Sequence, residues 1–102
     1  GFSSREAAKL LADEFGMPMI DMANVRPSGE LMAMLPRALA VKYTAFPVSR
    51  ESNSVRVAIS DPLDVDAIDS ISHYLKTSIE PVVAPADEIL AHIDRFYGKD
   101  EE

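Results

Sequence analysis

Asp61, Asp64, Asp66 and Asp69 crowd into one short stretch of the chain, and carboxylates at that density could hold calcium or act as a general acid and base. A calcium loop of the EF-hand type needs a glycine at its sixth position and a bidentate glutamate at its twelfth, and neither occurs here. Asp66 and Asp69 share a helix face, which acid–base work in a cleft would require. Capping by Asp64 and dipole complementation by Asp66 explain these residues without any reaction. Asp87 and Glu88 fall in the first turn of another helix, where negative charge is favourable in any case. His73 and His92 sit on different predicted helices, each off the buried stripe and with no second histidine at ligand spacing, so both are expected at the rim or in solvent. Serines are plentiful, but no Gly-x-Ser-x-Gly elbow and no glycine-rich phosphate loop exists. Met17, Met19, Met22, Met32 and Met34 fill core gaps or form an adaptable surface. Met32, off the Leu31/Met34/Leu35 stripe, is the candidate for the surface role. No catalytic, cofactor-binding or metal-ligating set is expected, and the residues read as a non-catalytic interaction module.

The chain that must position these groups has 102 residues, a net charge of −7, 47% hydrophobic residues and no cysteine. One domain of ordinary composition is expected, without disulfides or a thiol nucleophile. No apolar run approaches the ~18–20 residues of a membrane span. No basic-then-apolar leader opens the chain, so secretion is not expected, and the start at Gly1 suggests an excerpt of a longer protein. An isoelectric point near 4.7 argues against nucleic acid as a partner. The charge is uneven. Arg26, Arg37, Lys42, Arg50 and Arg56 face only Glu30 and Glu51 within residues 25–56, whereas residues 57–102 hold eleven carboxylates against Lys76, Arg95 and Lys99. Either these are solvated faces, or a basic middle that includes Arg50 and Arg56 orients the module on an acidic partner.

Helices come first. Ser3 and Glu6 fit a capping box, Ala8, Leu11, Ala12 and Phe15 make a buried stripe, and Gly16 is a left-handed stop. Residues 17–22 are extended and tucked against the core. Pro27-Ser28-Gly29 starts a short helix, and Pro36 opens another that turns Leu39 and Tyr43 inward. The period then changes to two. Phe46 and Val48 alternate with Pro47 and Ser49, and Val55, Val57 and Ile59 with Arg56 and Ala58, around a hairpin loop at residues 51–54. Pro47 places the first strand at an edge and leaves the second as the centre. Asp64 caps a helix with a stripe of Ile68, Ile71 and Leu75, and residues 79–83 form a third strand, parallel to the second. Ile89, Leu90, Ile93, Phe96 and Tyr97 define a last helix stopped by Gly98. The fold class is α+β: N-terminal helices, then a small three-stranded mixed sheet, a hairpin plus a β-α-β crossover, packed with helices. Residues 1–98 form the domain, and 99–102 a solvated tail or the start of a linker.

The order of segments resembles a known family. Phe15-Gly16-Met17-Pro18-Met19-Ile20-Asp21-Met22, Leu35-Pro36 with Ala40 and Tyr43, and Phe46-Pro47-Val48 look like the N-terminal domain of type II secretion ATPases and their type IV pilus assembly relatives. Val57-Ala58-Ile59-Ser60-Asp61-Pro62-Leu63-Asp64, followed by Ala67-Ile68, is the most specific signature, with Asp61, Pro62 and Asp64 in a structural role. Glu80-Pro81-Val82-Val83-Ala84 and the spacing of Ile89, Leu90, Ile93 and Tyr97 complete the likeness, which runs from about Arg5 to Gly98.

The resemblance implies a docking domain ahead of a hexameric ATPase motor. It would engage the cytoplasmic domain of an inner-membrane secretion or pilus component and its own ATPase domain. That places it in the cytoplasm, peripheral to the membrane through a protein. ATP and magnesium would belong to the motor and not to these residues. The alternative within the same family is a cyclic di-GMP sensor. Residues 1–14 could be the tail of such a motif, but its closing glutamine would fall on Glu14, or on Asp13 if shifted by one, where a carboxylate repels phosphate.

Overall fold

The computed structural model describes residues 4–97. The expected cap at Ser3, the stop at Gly98 and the tail at 99–102 lie outside the described residues. Helix α1 spans Ser4–Phe15 and ends where Gly16 takes a φ of +65°, with the Met17 amide closing on the Ala12 carbonyl at 2.9 Å. Its contact with the rest of the fold is narrow. Ala8 and Ala12 are buried with Val83, flanked by the half-buried Met17 and Met19. Phe15, expected inward, is 41% exposed, because the seam that α1 makes with the sheet ends at Ala12.

The extended segment after α1 is tied to the sheet by hydrogen bonds. Ile20 donates to the Val83 carbonyl and Val83 donates to the Pro18 carbonyl, both at 2.9 Å, so Met19 forms a parallel bridge with Val83. Asp21 then caps a single 3₁₀ turn, Met22–Asn24, and Met22 is fully buried. Ser28 accepts from the Leu31 amide at 3.2 Å to start α2, Gly29–Met34. Pro36 fixes the entry to α3, Arg37–Tyr43. Leu39 and Tyr43 are half-buried against the core, as their spacing predicts.

Strands β1, Ala45–Arg50, and β2, Ser54–Ile59, pair antiparallel. Helix α4, Val65–Leu75, carries the chain to β3, Ser78–Val83, which pairs parallel with β2. The order is β1-β2-β3, with Pro47 on an edge strand and β2 at the centre. Successive residues of a strand point to opposite faces. Val57, Ala58 and Ile59 are all buried, so the sheet is covered on both sides. The simple alternation expected of β1 is broken. Pro47 pairs with Val57 and Ser49 with Arg56, which leaves Val48 as an inserted residue, and Phe46 and Pro47 are both buried. A bulge of this kind bends an edge strand and raises its twist.

Helix α5, Ala86–Tyr97, closes the fold over Phe46, whose ring centroid lies 5.6 Å from that of His92 and 5.9 Å from those of Phe96 and Tyr97. Leu90, expected on the buried stripe, is 41% exposed. The inward face of α5 runs through Ile89, His92, Ile93 and Phe96, and one residue beyond Ile89 is a turn of ~100° toward solvent. The Tyr97 hydroxyl donates to the Leu35 carbonyl at 2.6 Å, and burial pushes its pKa up to about 12. The unfolded chain therefore releases this proton near pH 10, before the native state does. Tyr97 accordingly contributes stability that is present below pH 10 and lost as pH rises through 12. Urea midpoints followed from pH 9 to 12 should fall more steeply for the wild type than for Tyr97→Phe.

Candidate functional site

The aspartate-rich turn is built for folding. Asp61 accepts from the Leu63 amide at 3.0 Å, the Asp64 amide donates to the Asp61 carbonyl at 3.1 Å, and Asp64 accepts from the Ala67 amide at 3.1 Å. Pro62 between them is buried. The loop thus delivers the chain from β2 into α4 with two orphan amides satisfied. Asp64→Ala should lower the unfolding free energy by about 1 kcal/mol, the usual worth of such a cap, read from urea denaturation. Among the described residues no three His, Cys, Asp or Glu side chains converge as metal ligands.

Asp87, Glu88, Arg50 and Arg56 also have partners, whereas the exposed side chains of Asp66 and Asp69 have none among the described residues. Asp87 accepts from the Glu88 amide at 3.0 Å. Glu88 receives the Arg5 guanidinium at 2.8 Å, and Asp21 lies 3.9 Å from the same group. The hydrogen bond and charge of Glu88, then the charge of Asp21, hold Arg5 protonated even more firmly than usual. Arg50 pairs with Glu30 at 2.8 Å. Arg56 lies 3.6 Å from Glu80, its register partner across β3. The two arginines of the basic middle are therefore each set against a carboxylate within the fold. Met32 is half-buried.

His73 is exposed, as expected. His92 is not at the rim. It stands between Phe46 and Phe96, with Nδ1 3.2 Å from the Glu88 carbonyl and Nε2 buried without a hydrogen-bond partner. Helical spacing alone could have suggested this, since position 92 falls four after Glu88 and four before Phe96. The Arg5–Glu88 pair joins residues far apart in sequence and had no local signal.

Two of the open grooves bear on these residues. One, of about 430 Å³, lies between α1 and the segment after it and is lined by Arg5, Glu6, Lys9, Met19, Ile20 and Asp21. The second, of about 510 Å³, lies between α3 and α4 and is lined by Leu39, Asp69, Ser70, His73 and Tyr74. The second groove lines up Asp69, Ser70 and His73, but among the described residues no hydrogen bond links these three side chains, so no nucleophile is set against a base.

The sequence matches the MshEN domain family over residues 15–102. The chain belongs to that family. This MshEN domain is 29% identical over 89 residues to the type IV pilus assembly ATPase PilB of Myxococcus xanthus, a match covering 87% of the chain and 16% of that protein. It is 31% identical over 99 residues to PilB of Thermus thermophilus, covering 92% of the chain and 11% of that protein. The MshEN domain thus spans a small fraction of the curated relatives it matches. Among solved structures, MshE with cdg superposes with a TM-score of 0.83 at 27% identity, over 94% of this chain and 70% of that one. The N-terminal domain of XpsE gives a TM-score of 0.80 at 23% identity, over 91% and 66% of the two chains, which speaks for the fold. The α+β architecture with its mixed three-stranded sheet is the fold of MshE and of the N-terminal domain of XpsE. No helix among the described residues is long and apolar enough to cross a membrane.

Proposed function

We propose that this MshEN domain is the non-catalytic docking module of a type II secretion or type IV pilus assembly ATPase, recruiting the motor to the cytoplasmic domain of an inner-membrane component. One observation carries the reading: the domain matches pilus assembly ATPases over nearly its whole length while covering only 11–16% of theirs. An accessory role beside a motor is what such a small share supports. The occupied state of Asp61, Asp64, Asp87 and Glu88 agrees with it, because groups committed to caps and ion pairs are not poised for turnover. In this reading the domain works in the cytoplasm at the inner membrane, held there by a protein, and ATP and magnesium belong to the motor. A pull-down with the purified cytoplasmic domain of the cognate inner-membrane component tests it. A stable complex is expected, and no complex with a demonstrably folded domain overturns it.

A second reading, cyclic di-GMP sensing, is favoured by the relative MshE, whose structure was solved with cdg. The groove beside α1 presents Arg5 and Lys9, though Arg5 is engaged by Glu88 and Lys9 by Asp13 at 3.1 Å. Calorimetry with cyclic di-GMP separates the readings. Sub-millimolar binding that is lost in Arg5→Ala would put the sensor ahead of the docking module.

A further inference from the structure

We infer that the outer face of α4, with the groove beside it, docks a basic segment of the partner protein that inserts one apolar side chain beside Tyr74. This rests on the docking reading and names its surface and chemistry. Helix α4 buries Ala67 and Ile71, with Ile68 and Leu75 half-buried against the core. Helical spacing sets Asp66, Asp69, Ser70 and His73 on the opposite side, with Tyr74 at its flank.

Charge decides what fits there. Arg5, Lys9, Arg50 and Arg56 each have a carboxylate partner inside the fold. The side chains of Asp66 and Asp69 have neither a hydrogen bond nor an ion pair among the described residues. Asp66 gains from the helix dipole at the N-terminus, but Asp69 lies past the first turn, where that effect fades. Lys76, which follows the helix, lines a different hollow with Met34 and Thr77. The face is thus an uncompensated negative strip, and lysine or arginine side chains of a partner complement it.

Apolar exposure adds Tyr74, which is 51% exposed, whereas Leu63 at 64% and Val65 at 59% lie at the N-terminal end of α4 and Leu10 at 53% lies on α1. Tyr74 and Leu39 line the groove of about 510 Å³ with Asp69, Ser70 and His73. A half-exposed tyrosine over a groove is a typical anchor at protein interfaces, giving a large rigid area and a polar tip. The groove therefore receives an apolar side chain while flanking cations meet Asp66 and Asp69.

Two arms test the surface. In the first, binding of the domain to the cytoplasmic domain of the cognate inner-membrane component is followed across a salt series. Asp66→Asn/Asp69→Asn and Tyr74→Ala should each weaken binding about tenfold, and the double variant should also flatten the salt dependence. All these side chains are exposed, so the fold should survive, which circular dichroism checks. Wild-type affinity and salt slope in both variants overturn the inference and leave the docking reading intact. The second arm does not need that partner. A synthetic peptide of alternating Lys and Leu with one central Phe is titrated while backbone amides are followed by NMR, beside the same peptide with Glu for Lys. Shifts concentrated at residues 66–74, seen only with the Lys peptide, support the surface even if the first partner fails to bind. Shifts spread over other acidic faces, or equal for both peptides, overturn it.

Discussion

Phe46→Ala is expected to lower the unfolding free energy by about 3–5 kcal/mol, the usual cost of emptying an aromatic site in a core. Phe46 is fully buried and touches three rings of α5, those of His92, Phe96 and Tyr97. Truncation removes the transfer energy of the ring and leaves a cavity that a helix held at several points cannot close. A domain of this size has only about 5–15 kcal/mol of stability in total, and each kcal/mol shifts its midpoint by roughly 4–8 °C. A fall in Tm on the order of 15–30 °C should therefore be seen by calorimetry. A change of only a few degrees would mean that α5 settles onto the sheet without its aromatic contacts.

Ala12→Asp should release α1 while the sheet stays folded. Ala12 is 2% exposed and lies against Val83 in a small cluster separate from the main core. An uncompensated carboxylate in such a place costs several kcal/mol, roughly 3–5 by comparison with broken buried pairs. The protein has a cheaper response than global unfolding, because among the described side chains of α1 only Ala8 and Ala12 are buried. Hydrogen exchange should show the amides of residues 8–15 losing protection, with those of Val57 and Ile59 unchanged. Loss of protection throughout the sheet would show instead that α1 folds as one cooperative unit with the core.

Most of the secondary structure was legible because it follows from local spacing. Alternation of Val55, Val57 and Ile59 announces a strand, and the dipeptide before Leu63 announces a stop. Asp64 and Ser28 cap helices through their own near neighbours, a few residues away. Pro47 even placed its strand at an edge, since a residue without an amide proton cannot serve both sides of a ladder. Phe15, Leu90 and His92 depart from the faces that their periodicity predicts, because which face meets the core depends on where the neighbouring element lies. Val48 shows the same limit in the sheet. The bulge is set by how β1 fits β2, not by the order of its residues.

The candidate site divides in the same way. Sequence alone determined that these residues carry no catalytic motif, that the aspartates of residues 61–69 could be caps, and that the order of segments resembles pilus and secretion ATPase domains. Only the tertiary structure decided which charges are spent. Arg5 with Glu88, Arg50 with Glu30 and Arg56 with Glu80 join groups from different elements, and Met19 meets Val83 across most of the chain. Local rules reach along a few residues of backbone, whereas an ion pair or a groove is a property of surfaces brought together through space. That is why Asp66 and Asp69 look no different from their neighbours in the sequence, and why only the fold shows their side chains without a partner among the described residues.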